Sequence, residues 1–415
     1  MSLYCKLGLA VSALVSGAAA LRGWRRPQAQ DHSQYELRQV QVIFRHGART
    51  PLDTRSIIEE AEWNLKLLLP PVHTLIDYTV VDLNGKPQPP SLIDDANNIK
   101  QFKTGMRVGQ LTSVGMEQLY ALGKRMRVSY IEEKQFLSPA YSPLEIYVRS
   151  TNIERTIKST RCMLAGLFQQ KQDAKVIIFT TDTESEILYP NTYGCKRLHI
   201  LNRQLWKKVR AQPDVQCDMR LLQQSLGVVP DDNATFIDIM DDMIARKAHG
   251  LPLPKVLMEW EETIKQQAVK TLCSSFSLPN REGLQLSVGP VIDMLLTNIN
   301  DNIQDGNSSS KQKMYLYSGH DTTLVPILYV LGIFNWDWPS YASDLTFELF
   351  EHQTSKEKFM KVSYSGKDQL VRGCSSIFCP LDEFLKVFKC CTLNMEEYNT
   401  LCDDIDSLQK EKQSK

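Results

Sequence analysis

The chain has 415 residues, in which 48 Lys and Arg are balanced by 48 Asp and Glu, so its formal net charge is zero. Hydrophobic residues make up 42% and charged residues 23%, which excludes a chain that is disordered, collagenous or coiled-coil throughout. No overall positive field exists to attract phosphate backbones, so a nucleic-acid partner is not expected. The length allows one large domain with an insertion, or two to three smaller ones.

The first thirty residues differ from the rest in charge. They hold four basic residues and no acidic one, so residues 31–415 carry 44 basic and 48 acidic side chains. An apolar run of about fifteen residues, Leu7 to Leu21, is shorter than the roughly 20 residues that span a bilayer. We predict a targeting leader over residues 1–30. A secretory signal explains its small residues, a mitochondrial transit peptide explains its arginines, and an uncleaved anchor is the third alternative.

Ten cysteines are present, and removal of the leader with Cys5 would leave nine, so not all can pair. Cys374 and Cys379 flank a predicted loop and are the disulfide candidate, whereas the adjacent Cys390 and Cys391 cannot bridge comfortably. Paired CxxC spacing is absent, so a structural metal site is not predicted.

Runs of β-branched and aromatic residues predict six strands. Helical patterns alternate with them, which indicates an α/β domain with a substantially parallel sheet; the last two strands follow each other directly, which makes the sheet mixed. The predicted strands are Gln39–Phe44, Glu145–Val148, Lys175–Thr181, Met314–Tyr317, Asp344–Glu351 and Lys358–Tyr364.

Three helices have recognisable ends. Thr112 is predicted to cap the first of them, and the segment from Thr151 to Glu154 fits a capping box at the start of the second. The third is an apolar helix that starts at Thr322 and stops at Gly332, a residue type that commonly ends helices.

The alternation of strands and helices breaks in two places. Residues 55–103 are rich in proline and polar residues and predict an irregular insertion, and residues 183–285 predict a smaller, mainly helical cap. The α/β core is therefore predicted over residues 38–182 and 286–402, with a flexible tail over residues 403–415.

Three predicted strands end in polar side chains that suit an anion. The carboxyl ends of parallel strands meet at the ligand-binding edge of an open sheet. Each group alone has a structural alternative, such as a basic surface turn or a helix cap, but their conjunction favours one site. The groups are Arg45, His46 and Arg49 after the first strand, Arg149 at the end of the second, and His320 with Asp321 after the fourth.

These residue types suggest phosphoryl transfer. A histidine between arginines can attack phosphorus and form a phosphohistidine, which splits hydrolysis into two easier steps. Guanidinium groups bind phosphoryl oxygens with paired hydrogen bonds, and a carboxyl group such as Asp321 can protonate the leaving oxygen. No metal or other cofactor is expected, because the arginines supply the charge compensation that magnesium gives elsewhere.

The pattern Arg45-His46-Gly47-x-Arg49-x-Pro51, followed by Arg149-Ser150-Thr151 and His320-Asp321, resembles the signature of the histidine acid phosphatases over roughly residues 38–400. The resemblance implies a three-layer mixed sheet of the histidine phosphatase and phosphoglycerate mutase kind. It also implies that His46 is the nucleophile and Asp321 the proton donor. The implied phosphate-binding residues are Arg45, Arg49, Arg149 and His320.

Within that family, stretches such as Leu331-Gly-Ile-Phe334 and Arg372-Gly-Cys374 resemble the members that hydrolyse lysophosphatidic acid. This implies a metal-independent phosphomonoesterase that releases monoacylglycerol and phosphate. It further implies a mitochondrial location, with the secretory pathway (lysosomal or extracellular) as the alternative. The implied partner is a lysophospholipid or another small phosphomonoester, bound by a monomer for which peripheral membrane contact stays open.

Other functions remain open from the sequence. One is an acid phosphatase of broad specificity. Another is an inositol-polyphosphate phosphatase, against which the acidic stretch Asp231–Asp242 argues because a polyanion would need more positive charge. The non-enzyme alternative is an inactive lipid-binding protein, which is disfavoured because no catalytic position is missing.

Overall fold

β-Branched and aromatic runs of the chain form the strands of one sheet. The computed structural model describes residues 34–54, 57–169, 172, 174–276, 281–304, 312–405 and 407. The predicted leader, residues 1–30, and most of the predicted tail lie outside them. Within the described residues the strands are β1 (Tyr35–Arg45), β2 (Tyr78–Asp82), β3 (Ile146–Ser150), β4 (Val176–Thr180), β5 (Met314–Gly319), β6 (Asp344–His352), β7 (Lys358–Tyr364), β8 (Lys367–Gln369) and β9 (Cys379–Pro380).

The strands pair in the order β2-β4-β3-β5-β1-β6-β7-β8, with β9 against β7. The pairs from β2 to β1 are parallel, and those from β1 to β8 are antiparallel. The predicted mixed α/β sheet is therefore confirmed. The parallel half brings the carboxyl ends of β1, β3 and β5 to one edge, where the polar residues of the sequence motifs follow.

Helices cover both faces of the sheet, and residues 196–276 form a separate helical region. The helix that Thr112 was predicted to cap begins as expected, with the Thr112 hydroxyl accepting from the Gly115 N–H. The helices are α1 (Leu92–Asn98), α2 (Ser113–Arg127), α3 (Glu154–Phe168), α4 (Lys196–Arg210), α5 (Pro213–Leu226), α6 (Phe236–Ala248), α7 (Lys255–Glu259), α8 (Glu261–Cys273), α9 (Arg281–Gln304), α10 (Asp321–Leu331), α11 (Leu381–Phe388) and α12 (Met395–Asp403).

Alternation along the strands divides the apolar side chains between two cores. Val42 and Phe44 of β1 face α2 and α3, whereas Ile43 of β1 and Tyr317 of β5 face α9 and α10. A third core lies among α5, α6 and α8 in the helical region. Side-chain period along a strand thus decides on which face of the sheet each residue acts.

Two local predictions differ from the structure. The segment 55–103 contains strand β2, which joins the sheet edge beside β4; its polar flanks and short length hide it from a pattern search. The capping box at Thr151 is wrong, because α3 starts at Glu154 and Ile153 precedes it without a side-chain cap. The Thr151 hydroxyl instead lies 2.8 Å from the Thr156 hydroxyl.

Two disulfides connect described residues. The predicted Cys374–Cys379 bond is confirmed. The second bond joins Cys195, just before α4, to Cys402 in α12, 207 residues later. The sequence alone did not predict this pair, because no local pattern relates residues so far apart. Cys390 and Cys391 are not bonded to each other. Within the described ranges, none of the helices combines the length and the apolar character that a membrane crossing requires.

Candidate active site

The loop after β1 holds the predicted nucleophile through a close backbone contact. At Gly47 a Cβ atom would lie 2.2 Å from the Gly115 carbonyl oxygen at the start of α2, so only glycine allows this approach. The Gly47 N–H donates to the Ser159 hydroxyl of α3 at 3.1 Å. The loop is therefore fixed between the N-terminal turn of α2 and the body of α3.

His46 is buried in this loop, with 1% of its surface exposed. Its Nδ1 lies 2.9 Å from the Gly47 carbonyl oxygen. Because a carbonyl can only accept, this contact assigns the proton to Nδ1 and leaves the lone pair on Nε2. Burial, together with the charges of Arg155 and Arg49, holds the pKa of His46 well below its ordinary value. The ring is neutral, which a nucleophile requires.

Arg45 and Asp321 form an ion pair beside His46. The Arg45 Nη2 lies 2.7 Å from the Asp321 Oδ2, and the same oxygen accepts from the Trp338 indole N–H at 2.9 Å. Burial raises the pKa of Asp321, but the charges of Arg45 and Arg49 and the bond from Trp338 outweigh it and lower that pKa. In the free protein Asp321 is therefore ionised.

Arg49 is held by a carboxylate from the helical region. Its two terminal nitrogens donate to the two oxygens of Asp241 in α6, at 3.2 and 2.8 Å. Burial lowers the pKa of Arg49, but Asp241 outweighs burial and raises it. The neighbouring Asp242 pairs with Arg246 at 2.8 Å. These two carboxylates of the predicted acidic stretch are thus neutralised by arginines.

His320 lies across the site from His46, with their ring centres 5.5 Å apart. It precedes α10, and its Nε2 lies 3.0 Å from the Thr151 hydroxyl. Burial and the charge of Arg155 lower the pKa of His320 well below its ordinary value. The hydroxyl expected to cap α3 therefore orients His320 instead.

Arg149 does not line the cavity that contains His46, Arg49, His320 and Asp321. Its register partner on β5 is Tyr317, so it faces the α9 layer, where its Nη1 lies 3.9 Å from the Met294 sulfur. Its Nη2 pairs with Glu186 at 2.9 Å, and both side chains are buried. The expected phosphate contact of Arg149 is thus not supported, because its guanidinium pairs with Glu186 and packs against α9 instead of lining the cavity.

Arg155 lines the cavity and was missed by the sequence analysis. It is the second residue of α3, and 7% of its surface is exposed. Burial and the charge of Arg49 lower its pKa to about 10, so it is a cation at neutral pH. A cation in the first turn of a helix opposes the helix dipole. That conflict, at a helix start near a strand end, is the signal that could have revealed it.

Three arginines of the site carry buried N–H groups without a partner among the described residues. They are the Nε groups of Arg45 and Arg49 and the Nε and Nη1 groups of Arg155. Buried donors normally find acceptors, so unpartnered ones at a functional site call for a ligand that accepts. A tetrahedral oxyanion supplies acceptor oxygens in several directions. The arrangement is suited to phosphate.

The cavity continues from these groups along an apolar wall and has a volume of about 300 Å³. The wall combines Ile93 of α1, from the segment 55–103, with Trp206, Leu272 and Phe276 from the helical region. Tyr193 and Trp206 are partly exposed, so they lie towards the solvent. The cavity therefore joins an anion-binding end to an apolar end.

A neutral buried histidine, unpartnered guanidinium donors and a nearby carboxyl group are the parts needed for covalent hydrolysis of a phosphate ester. Fold and site together define a phosphate-ester hydrolase. Residues 36–365 match the model of the histidine phosphatase superfamily, branch 2. The chain belongs to that family, the histidine acid phosphatases.

Individual relatives agree with this family. The chain is 42% identical over 376 residues to lysophosphatidic acid phosphatase type 6 of Bos taurus, covering 90% of this chain and 88% of the relative. It is 42% identical over 373 residues to the protein of that name in Homo sapiens, covering 90% and 87%. It is 29% identical over 306 residues to lysosomal acid phosphatase of Bos taurus, covering 67% and 69%.

Solved structures share the fold at low identity. The phytase from Citrobacter braakii superposes with a TM-score of 0.57 at 16% identity, covering 86% of this chain and 98% of that one. The Hafnia alvei phytase gives a TM-score of 0.56 at 14% identity, covering 87% and 99%. Both support the sheet and helical region described above, and at these identities they bear on the fold alone.

Proposed function

We propose that the protein hydrolyses lysophosphatidic acid to monoacylglycerol and phosphate through a phosphohistidine at His46. The carrying observation is one cavity with unpartnered arginine donors at one end and an apolar wall at the other. A lysophospholipid has the same two parts, a phosphate monoester and a single acyl chain. The 42% identity to relatives named lysophosphatidic acid phosphatase type 6 supports the same substrate.

The phosphate is bound by Arg45, Arg49 and Arg155, whose unpartnered N–H groups supply the donors. His320 faces His46 across the site and is oriented by the contact of its Nε2 with the Thr151 hydroxyl. These groups are fixed by strand ends and helix starts before the substrate arrives, so little reorganisation is needed in the transition state.

In the first step the His46 Nε2 attacks phosphorus and the bond from phosphorus to the glycerol oxygen breaks. The carboxyl group of Asp321 gives its proton to that oxygen, and monoacylglycerol leaves. In the second step the Asp321 carboxylate takes a proton from water, the resulting hydroxide attacks phosphorus, and the phosphorus–nitrogen bond breaks. Phosphate is released and His46 is free again.

Asp321 must be protonated for the first step, although its pKa is lowered in the free protein. A bound phosphate places negative charge beside Arg45 and Arg49 and offsets the field that keeps Asp321 ionised, which raises the pKa of that carboxyl group. The rate should therefore fall at high pH, where the bound complex loses this proton. An acidic to near-neutral optimum is expected.

An inositol polyphosphate fits this cavity poorly. Beyond the arginines the wall carries mainly apolar groups and, among the described residues, no further cation, and the nearby Asp241 carboxylate already binds the terminal nitrogens of Arg49. Several phosphates on one ring would lie against apolar groups or a carboxylate. They would lose their hydration and gain no compensating hydrogen bonds or ion pairs.

A substrate panel tests the proposal. The panel contains lysophosphatidic acids of several chain lengths, phosphatidic acid, a small aryl phosphate and inositol hexakisphosphate. We expect the highest kcat/KM for a lysophosphatidic acid, and rapid-quench trapping should show acid-labile, base-stable phosphate on the wild-type protein and none on His46→Ala. Equal or better turnover of inositol hexakisphosphate would contradict the substrate assignment.

We also propose that residues 1–30 direct the protein to mitochondria, where it acts as a monomer with peripheral access to membrane lipid. Residues 1–30 contain three arginines and no acidic residue, which supports mitochondrial targeting. Fractionation of cells that express the full-length chain and a form lacking residues 1–30 tests it. Recovery of the full-length form in lysosomes or in the medium would favour the secretory alternative.

A further inference from the structure

Two polar atoms on the apolar wall of the cavity have no role in phosphate binding. They are the Oγ of Ser287 in α9 and the Oδ1 of Asn202 in α4, and both residues line the cavity that contains His46 and Asp321. Both atoms are buried and lack a hydrogen-bond partner among the described residues. Only 4% of the surface of Ser287 is exposed. Asn202 and Ser287 thus form a polar patch on the wall, and its hydrogen-bonding groups are unused.

A neighbouring polar group of the wall, the Trp206 indole, is already occupied. The Trp206 indole N–H donates to the Ser275 hydroxyl at 3.1 Å. When an acyl chain fills the cavity, Asn202 and Ser287 stay unpartnered unless the ligand pairs with them. A ligand group that pairs with one of them gains about tenfold to a hundredfold in affinity over a ligand that leaves it unpaired. A pure hydrocarbon chain is therefore disfavoured at this polar patch.

The chemistry of the two groups defines what they can bind. A hydroxyl can both donate to and accept from the amide of Asn202, and a carbonyl oxygen can accept from the hydroxyl of Ser287. A lysophospholipid carries these two groups, a free hydroxyl and an ester carbonyl, on the glycerol backbone between its phosphate and its chain. An alkyl phosphate has neither group, and phosphatidic acid lacks the hydroxyl.

The two residues are held by packed elements. Helix α4 packs on α9, and α12 packs on both. The disulfide from Cys195, just before α4, to Cys402 in α12 ties these helices together. A site on rigid elements binds with little loss of conformational freedom.

We propose that Asn202 and Ser287 form a subsite for the glycerol backbone of a lysophospholipid, with Asn202 binding the free hydroxyl and Ser287 the ester carbonyl. This inference rests on the proposed function and names two residues that determine its specificity. The subsite selects a single-chain glycerol ester over a phosphate with a plain hydrocarbon tail.

Paired changes in protein and substrate test the inference. The variants are Asn202→Leu and Ser287→Ala, with Ser225→Ala in α5 as the matched control, since its hydroxyl bonds within its own helix. The substrates have equal chain length: lysophosphatidic acid, its analogue without the free hydroxyl, its ether analogue without the carbonyl, and a small aryl phosphate. Folding is checked by the thermal midpoint.

Asn202→Leu should lower kcat/KM for lysophosphatidic acid at least tenfold more than for the analogue without the hydroxyl. Ser287→Ala should discriminate in the same way between the ester and the ether. Equal losses for all substrates, or no loss, would overturn the subsite while leaving the proposed function intact. Turnover of the aryl phosphate without any turnover of lysophosphatidic acid by the wild-type protein would overturn both.

Discussion

The two ends of the cavity are built in different ways. The phosphate end consists of residues that follow strands of the parallel half of the sheet, His46 after β1 and His320 with Asp321 around the start of α10. The apolar end combines α1 with residues of α4 and α8, which are far apart in sequence and come from outside the sheet. The sheet edge supplies the reacting groups, and the apolar end lies where the leaving group of a substrate would bind.

Contacts between the two ends make this division incomplete. Asp241 of α6 binds both terminal nitrogens of Arg49 and also accepts from the Leu52 N–H at 2.8 Å. The helical region therefore orients Arg49, one of the arginines proposed to bind phosphate. Changes at the phosphate end should affect every substrate, whereas changes at the apolar end should affect only long-chain substrates.

The largest expected effect is at the phosphate end. His46→Ala removes the nucleophile and should lower kcat for all phosphomonoesters, with short or long chains, on the order of 10⁴-fold or more. His73→Ala is the matched control, because His73 is an exposed histidine paired with Glu117. Steady-state rates with an aryl phosphate and a lysophosphatidic acid check this prediction. Substantial turnover by His46→Ala on either substrate would refute the nucleophile assignment.

Arg155 and Arg149 separate a binding role from a structural one. Arg155→Ala removes two unpartnered donors and should lower kcat/KM about 10²- to 10³-fold for every substrate. Arg149→Ala leaves Glu186 buried without its cation and should cost about 3–5 kcal/mol of folding free energy.

Kinetics and thermal unfolding of the two variants distinguish these roles. We expect Arg149→Ala to lower the thermal midpoint strongly and to lower kcat/KM of the folded fraction less than tenfold. The reverse pattern, with a stable Arg149→Ala that has lost activity, would mean that Arg149 binds phosphate and that its pairing with Glu186 is not its main role.

The contrast between the two ends of the cavity also explains which site residues could be predicted from the sequence. His46, Arg45 and Asp321 follow directly from strand ends, because a strand and its next few residues are local in sequence. The prediction for Arg149 was wrong because a strand end does not reveal that the guanidinium pairs with the distant Glu186. Arg155 was missed because its position depends on how α3 meets the sheet. The wall residues, such as Trp206 and Ile93, meet only through tertiary packing, which no local pattern encodes.

A change in the apolar wall should affect binding of the substrate's acyl chain and leave binding of its phosphate unchanged. Trp206→Ala removes apolar contact area and should lower kcat/KM for long-chain lysophosphatidic acid about tenfold, with a much smaller effect on an aryl phosphate. Trp336→Ala is the control, since Trp336 is an exposed tryptophan that packs near Tyr329 and not on the cavity. Equal losses on both substrates would mean that Trp206 supports the phosphate end as well.

The smallest expected effect is a shift in pH dependence. Trp338→Phe removes the indole N–H that donates to the Asp321 Oδ2, and this hydrogen bond lowers the pKa of that carboxyl group. Without it the ionised form is less stable, so the pKa rises and Asp321 keeps its proton to higher pH. The basic limb of the kcat profile should therefore move to higher pH, with only a few-fold change at the optimum. The shift should be larger for an alkyl leaving group than for an aryl one, because a phenolate needs less help from a proton. A basic limb that stays in place, or moves to lower pH, would show that a group other than Asp321 delivers the proton.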